Sequence, residues 1–80
     1  MSALTREQAA ELREAAHEEL ALTEHYCQCA RMHLQVADDA VTILDLLSAR
    51  DHFTVALRAF TPIRDSMKAQ GRPEISESGA

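Results

Sequence analysis

Two histidines and two cysteines lie close together in the first half of the chain. His25, Cys29 and His33 follow one another at steps of four residues, which places them on one side of a helix. Imidazole and thiolate are ligands that zinc and copper accept, but a structural zinc site takes four ligands. Cys27 points away from this side of the helix, and the CxxC spacing of metal-binding motifs is missing. We therefore expect no metal or cofactor. A metal-binding or redox-sensing bundle using His25, Cys29 and His33 is an alternative.

Other residue patterns that support catalysis are weak or missing. Glu14 and His17 have the Glu-x-x-His spacing of di-iron carboxylate bundles, which need two such motifs, and the chain has one. No glycine-rich phosphate loop and no nucleophile elbow occurs in the sequence. We therefore expect the protein not to be an enzyme.

A stripe of glutamates follows one face of the first helical segment. They recur at steps of four, three and four residues, and the same face continues with apolar or weakly polar residues. Carboxylates at this spacing on a rigid helix could engage the Lys and Arg residues of a basic protein, for example one that handles nucleic acid. The predicted partner-binding residues are Glu7, Glu11, Glu14, Glu18, His25, Cys29, Met32 and Val36.

The net charge of −5 is concentrated in residues 1–39, which hold eight acidic and three basic residues. A nucleic-acid binder needs a basic face, so we expect no direct contact with nucleic acid. No apolar run approaches the roughly 20 residues of a membrane span, and the first residues do not resemble a secretory signal. Two cysteines that cannot pair within one helix fit a reducing compartment. We expect a cytoplasmic protein without membrane contact.

Helical periodicity and breakers define the elements. Thr5 and Gln8 have the form of a capping box that starts helix 1, which we expect over about 5–37. An aspartate at 38 or 39 is expected to cap helix 2, over about 40–60. Pro62 suggests a short helix 3 over about 62–70, with a continuation of helix 2 through a kink as the alternative. Residues 1–70 then form a single domain, and residues 71–80 are expected to be a disordered tail.

The apolar positions of helix 1 form one heptad-like seam. It comprises Ala9, Leu12, Ala16, Leu20, Thr23, Cys27, Ala30, Leu34, Ala37 and Val41. In helix 2 the pattern predicts an apolar stripe through residues such as Ile43, Leu46 and Phe53, and a polar line through Asp45, Ser48 and His52.

These elements predict an all-α antiparallel helical hairpin. Eighty residues support only a marginal core, so we expect two hairpins to dimerise into a four-helix bundle. The start of helix 2 is apolar nearly all round, and its expected self-association residues are Val41, Ile43, Leu44 and Leu47. The alternative is one unbroken helix from Thr5 to Arg50, which would also need a partner chain.

The informative features concern surfaces rather than reactive groups. The sequence therefore favours a small acidic helical interaction module of the adaptor, inhibitor or chaperone type, which binds a basic partner protein. Two alternatives stay open: the metal-binding or redox-sensing bundle, and an accessory subunit of a larger enzyme or nucleic-acid machine.

Overall fold

A computed structural model describes residues 4–71 and consists of two long helices. Helix α1 covers Arg6–Gln35 and helix α2 covers Asp39–Ala69. Residue 19 of α1 lies beside residue 52 of α2, and residue 33 beside residue 45, so the helices run antiparallel. The predicted all-α helical hairpin is confirmed.

Helix α1 begins at the predicted capping box. The backbone N–H of Gln8 donates to Thr5 Oγ1 at 3.0 Å, and the Thr5 N–H donates to Gln8 Oε1 at 2.9 Å. Both bonds satisfy N–H groups that the first helical turn leaves without a partner. Helix α1 therefore starts where the sequence predicted.

The connection between the helices is a tight turn over residues 36–38. Ala37 adopts the left-handed conformation, with φ 58°, and its N–H donates to the Leu34 carbonyl at 3.1 Å. The Asp38 N–H donates to the His33 carbonyl at 2.9 Å, which completes a Schellman motif. The Asp38 carboxylate then accepts from the Val41 N–H at 3.3 Å and caps α2. The alternative of an unbroken helix from Thr5 to Arg50 is therefore wrong.

Helix α2 is longer than predicted, because it continues through Pro62 to Ala69. A separate third helix over 62–70 is therefore not present. Proline removes one backbone donor and disfavours a helix interior. The helix nevertheless continues, and the next residue, Ile63, is buried.

The space between the helices is filled by small and polar side chains. The buried apolar residues of the described chain are Ala16, Ala30, Ala49, Ala56 and Ile63, and Thr42 and Asp45 are buried with them. Thirteen large apolar side chains are instead exposed by 39% or more. The molecule measures 49 × 29 × 15 Å, so its smallest dimension is little more than one helix diameter. The hairpin is a single layer.

The faces of the helices differ from the predicted ones. In α1 the predicted seam divides: Ala16 and Ala30 face α2, whereas Leu20, Cys27 and Leu34 are exposed. In α2 two residues of the predicted polar line, Asp45 and His52, face α1 and bond to it. Alanines allow the two backbones to approach closely, and the polar side chains find partners in the gap.

The remaining expectations concern the chain ends and the membrane. Of the predicted disordered tail over 71–80, residues 72–80 lie outside the described residues. Gly71, with φ 74°, lies two residues after the end of α2 at Ala69, and its N–H donates to the Lys68 carbonyl at 3.0 Å. Neither α1 nor α2 has an apolar stretch long enough to cross a bilayer.

Candidate interaction surfaces and the polar interior

A histidine and an aspartate join the two helices near the turn. His33 Nδ1 lies 2.6 Å from Asp45 Oδ2, and Asp45 is only 9% exposed. A carboxylate at this depth needs a hydrogen-bond donor to offset its lost hydration, and the imidazole N–H supplies one. His33 therefore makes the burial of Asp45 possible and fixes the two helices in register beside the turn.

A second contact between a histidine and a carboxylate joins the helices in the middle of the hairpin. His52 Nδ1 is 2.6 Å from Glu19 Oε1, with both side chains mostly buried. The Tyr26 ring stacks on the His52 ring, with centroids 5.5 Å apart and an angle of 5° between the planes. Every buried side-chain N or O atom in residues 4–71 has a hydrogen-bond partner. The interior is thus polar but fully bonded.

The histidine and cysteine cluster is only partly assembled. Cys29 Sγ and His25 Nε2 lie 3.6 Å apart on the outside of α1. His33 turns from them toward Asp45 on α2. Within residues 4–71, no three His, Cys, Asp or Glu side chains are grouped so that they could hold a metal ion. Cys27 and Cys29 are both free thiols.

The glutamate stripe lies on the outer face of α1, which is turned away from α2. Glu7, Glu11, Glu14 and Glu18 are all exposed. No ion pair resolved among residues 4–71 uses any of these four carboxylates. His17, the partner of Glu14 in the Glu-x-x-His spacing, is also exposed and belongs to another edge of the helix.

The same outer face becomes apolar toward the turn. Met32 is 63% exposed and Val36 is 71% exposed, while Cys29 is partly covered by its contact with His25. All eight predicted partner-binding residues therefore lie along one helix face. Below we call this set the outer face of α1.

The predicted self-association residues surround the start of α2 rather than forming one patch. Ile43, Leu44 and Leu47 are exposed, and Val41 is half-buried beside the turn. Ile43 and Leu44 point in directions that differ by about 100°, as consecutive helical residues do. One flat partner surface could not cover all four side chains.

A different apolar surface emerges when both helices are considered together. The positions of α2 that face α1 are 42, 45, 49, 52, 56, 59 and 63, none of them exposed. Five of these positions are each followed by a residue with a large, exposed side chain. These residues are Ile43, Leu46, Phe53, Leu57 and Phe60. In α1, exposed Leu20, Cys27 and Leu34 likewise come one residue after inward-facing Glu19, Tyr26 and His33.

These two lines of side chains share one side of the hairpin. Each line is rotated from the inward face by about 100°, and in antiparallel helices that face each other this rotation leads to the same side. The contact between Glu19 and His52 sets Leu20 level with Phe53. We call this surface the broad apolar face. The apolar patterns predicted from the sequence include residues of this face, but they did not distinguish these residues from the inward-facing ones.

Comparison with known proteins does not assign the chain to a family. A scan of protein-family models finds no match, and neither do searches of curated proteins and of solved structures. The fold and the surfaces therefore define the class of protein: a single-layer helical hairpin whose interior combines small apolar side chains with bonded polar ones, and whose large apolar side chains are exposed.

Proposed function

We propose that this protein is a small acidic interaction module without a catalytic centre, of the adaptor, inhibitor or chaperone type, acting in the cytoplasm. One observation supports it above the others: the large apolar side chains lie outside the hairpin, and small or polar ones lie inside. Apolar surface on this scale is typical of chains that bind other polypeptides.

The outer face of α1 is the proposed site for a basic partner protein. Its four glutamates are exposed over three helical turns and lack a cation on their own face. Two of the three α1 arginines, Arg13 and Arg31, fall one residue after inward-facing positions, and so lie on the side of the broad apolar face. This separation of charge leaves the carboxylates available to Lys and Arg of a partner.

The chemistry of the outer face suggests an amphipathic basic helix as the partner. Carboxylates at one end would meet cationic side chains, and Met32 and Val36 at the other end would meet apolar ones. Methionine is common on surfaces that accept several related helices, because its unbranched side chain adapts in shape. A basic nucleic-acid-handling protein would present such a helix.

The two alternative functions have less support. A metal or redox role on His25, Cys29 and His33 would require His33 to leave Asp45, which would leave a buried carboxylate without its donor. A role as accessory subunit of a larger enzyme or nucleic-acid machine is a special case of partner binding, and it would use the same outer face.

The proposal can be tested with a fluorescently labelled synthetic helix rich in Lys, Arg and Leu. We expect anisotropy to report binding that weakens as salt is added. Glu11→Lys and Glu14→Lys should each weaken binding about tenfold. Asp65→Lys is the matched control, because it makes the same charge change at an exposed position of α2. Equal weakening by all three variants would show only a net-charge effect and would contradict a site on α1.

A further inference from the structure

The broad apolar face is the largest feature that the proposed partner site leaves unexplained. Its α2 line recurs at steps of three and four residues from Ile43 to Phe60, interrupted once by Arg50. That spacing is the heptad pattern of helices that pack nearly parallel or antiparallel to another helix. The surface therefore suits a helical layer rather than a sheet or a small ligand.

We infer that the broad apolar face is the interface at which a second copy of this chain packs, giving a closed four-helix bundle. This inference goes beyond the proposed function, because it concerns the side of the hairpin away from the outer face of α1. Of the self-association residues predicted from the sequence, the interface would use Ile43, whereas Leu44 points elsewhere.

The broad apolar face is large for a chain of this size. Seven Leu, Ile and Phe side chains, each exposed by about half, present roughly 600 Å² of apolar area. This area is at the upper end of the roughly 300–600 Å² of the largest apolar patch on a typical monomer. A stable interface takes about 800 Å² from each partner, including its polar rim, so the face supplies most of that area and the flanking residues would supply the rest.

The hairpin lacks a large apolar core of its own. Four of its five buried apolar residues are alanines, and among the described residues no side chain is buried completely. Such a layer cannot offset the conformational entropy lost by residues 4–71. A partner must be present whenever the chain folds, and a second copy always is.

Three arginines lie within the same two lines of side chains. Arg13 and Arg31 of α1 and Arg50 of α2 are exposed, and each comes one residue after an inward-facing position. Arginine is enriched at protein interfaces, since its stem covers apolar surface while the guanidinium stays in water. A twofold axis would bring the same patch of both copies together, so one set of residues builds both halves of the interface.

The test is the mass in solution, measured by light scattering on the full chain at micromolar concentration. We expect a mass of about twice the 8.9 kDa of one chain. Leu57→Gln should weaken the dimer at least tenfold, because it places an amide in the centre of the interface. Leu44→Gln is the matched control: Leu44 is 62% exposed and Leu57 60%, and both lie within α2.

Several results would overturn the inference. They are a wild-type mass of one chain, a mass that grows without limit, or a dimer that Leu44→Gln weakens and Leu57→Gln does not. If Leu57→Gln does not fold, the melting temperature of the wild type, measured at several protein concentrations, still tests the dimer. The melting temperature of a dimer whose folding and association are linked rises with protein concentration. A constant melting temperature would count against the dimer. Glu11→Lys should leave the mass unchanged, so failure of the partner site and failure of the dimer are distinguishable.

Discussion

His33 on α1 and Asp45 on α2 are joined by a 2.6 Å contact between Nδ1 and Oδ2, across a turn of three residues. Together with the Glu19–His52 contact, it joins the two helices through polar side chains and fixes their register. The inside of the hairpin is therefore specified by hydrogen bonds, and the large apolar residues are left for other surfaces.

The His33–Asp45 contact should contribute measurably to stability. We expect His33→Ala to lower the free energy of unfolding by about 2 kcal/mol, because it leaves the buried Asp45 carboxylate without its donor. Urea denaturation at fixed protein concentration measures this change. His25→Ala, an exposed histidine on the same helix, is the control and should change stability by less than about 0.5 kcal/mol.

Replacing both His33 and Asp45 should lower the free energy of unfolding by less than replacing His33 alone. In His33→Leu combined with Asp45→Leu no polar group is left unpaired, and we expect most of the loss in His33→Ala to be recovered. If the double variant were less stable than His33→Ala, the couple would not be acting through the burial of an unpaired carboxylate.

The left-handed residue in the turn offers a stabilising substitution. Ala37 has φ 58°, a conformation that costs an alanine about 1 kcal/mol relative to glycine. We expect Ala37→Gly to raise the free energy of unfolding by about that amount, and Ala37→Val to lower it. A destabilised Ala37→Gly variant would show that the turn does not have this geometry.

The contribution of the capping residue Asp38 to stability can be distinguished from that of the neighbouring Asp39. Asp38 accepts from the Val41 N–H, so Asp38→Ala should cost about 1 kcal/mol in urea denaturation. Asp39→Ala removes the same charge one residue later, in the first turn of the helix, and should cost about 0.3 kcal/mol. Equal losses would mean that charge near the helix start matters and the specific cap bond does not.

The alanine-filled interior should resist larger side chains. Ala49 is 6% exposed, and Ala49→Leu should force the helices apart and cost about 2 kcal/mol. Ala21→Leu adds the same volume at an exposed position of α1 and should be close to neutral. Thermal melts of both variants, followed by circular dichroism, provide the comparison. Equal tolerance would indicate that Ala49 does not face α1.

The sequence predicted the local features of the fold well. Thr5 and Gln8 specify the start of α1 through their own hydrogen bonds, and Asp38 does the same for α2, so short-range chemistry decides both. Around Pro62 the local pattern allowed either a separate helix or a continuation of helix 2, and α2 continues through Pro62 to Ala69.

The faces of the helices could not be predicted from periodicity alone. Leu20 and Glu19 are neighbours, and a seam through either fits the spacing of the apolar residues in α1. The choice depends on His52, 33 residues away, which bonds to Glu19. Sequence analysis identified the glutamate stripe and its apolar continuation, but it had no means of predicting the broad apolar face as a surface distinct from the seam.

The central claim is that polar contacts lie inside each hairpin and large apolar contacts lie outside. Isotope-filtered NMR on a mixture of labelled and unlabelled chains tests it most directly. We predict contacts between the Tyr26 and His52 rings within one chain, and contacts of Phe53 and Leu57 between two chains. The claim would be contradicted if Phe53 contacted Ala16 within one chain while the Tyr26 and His52 rings lay apart.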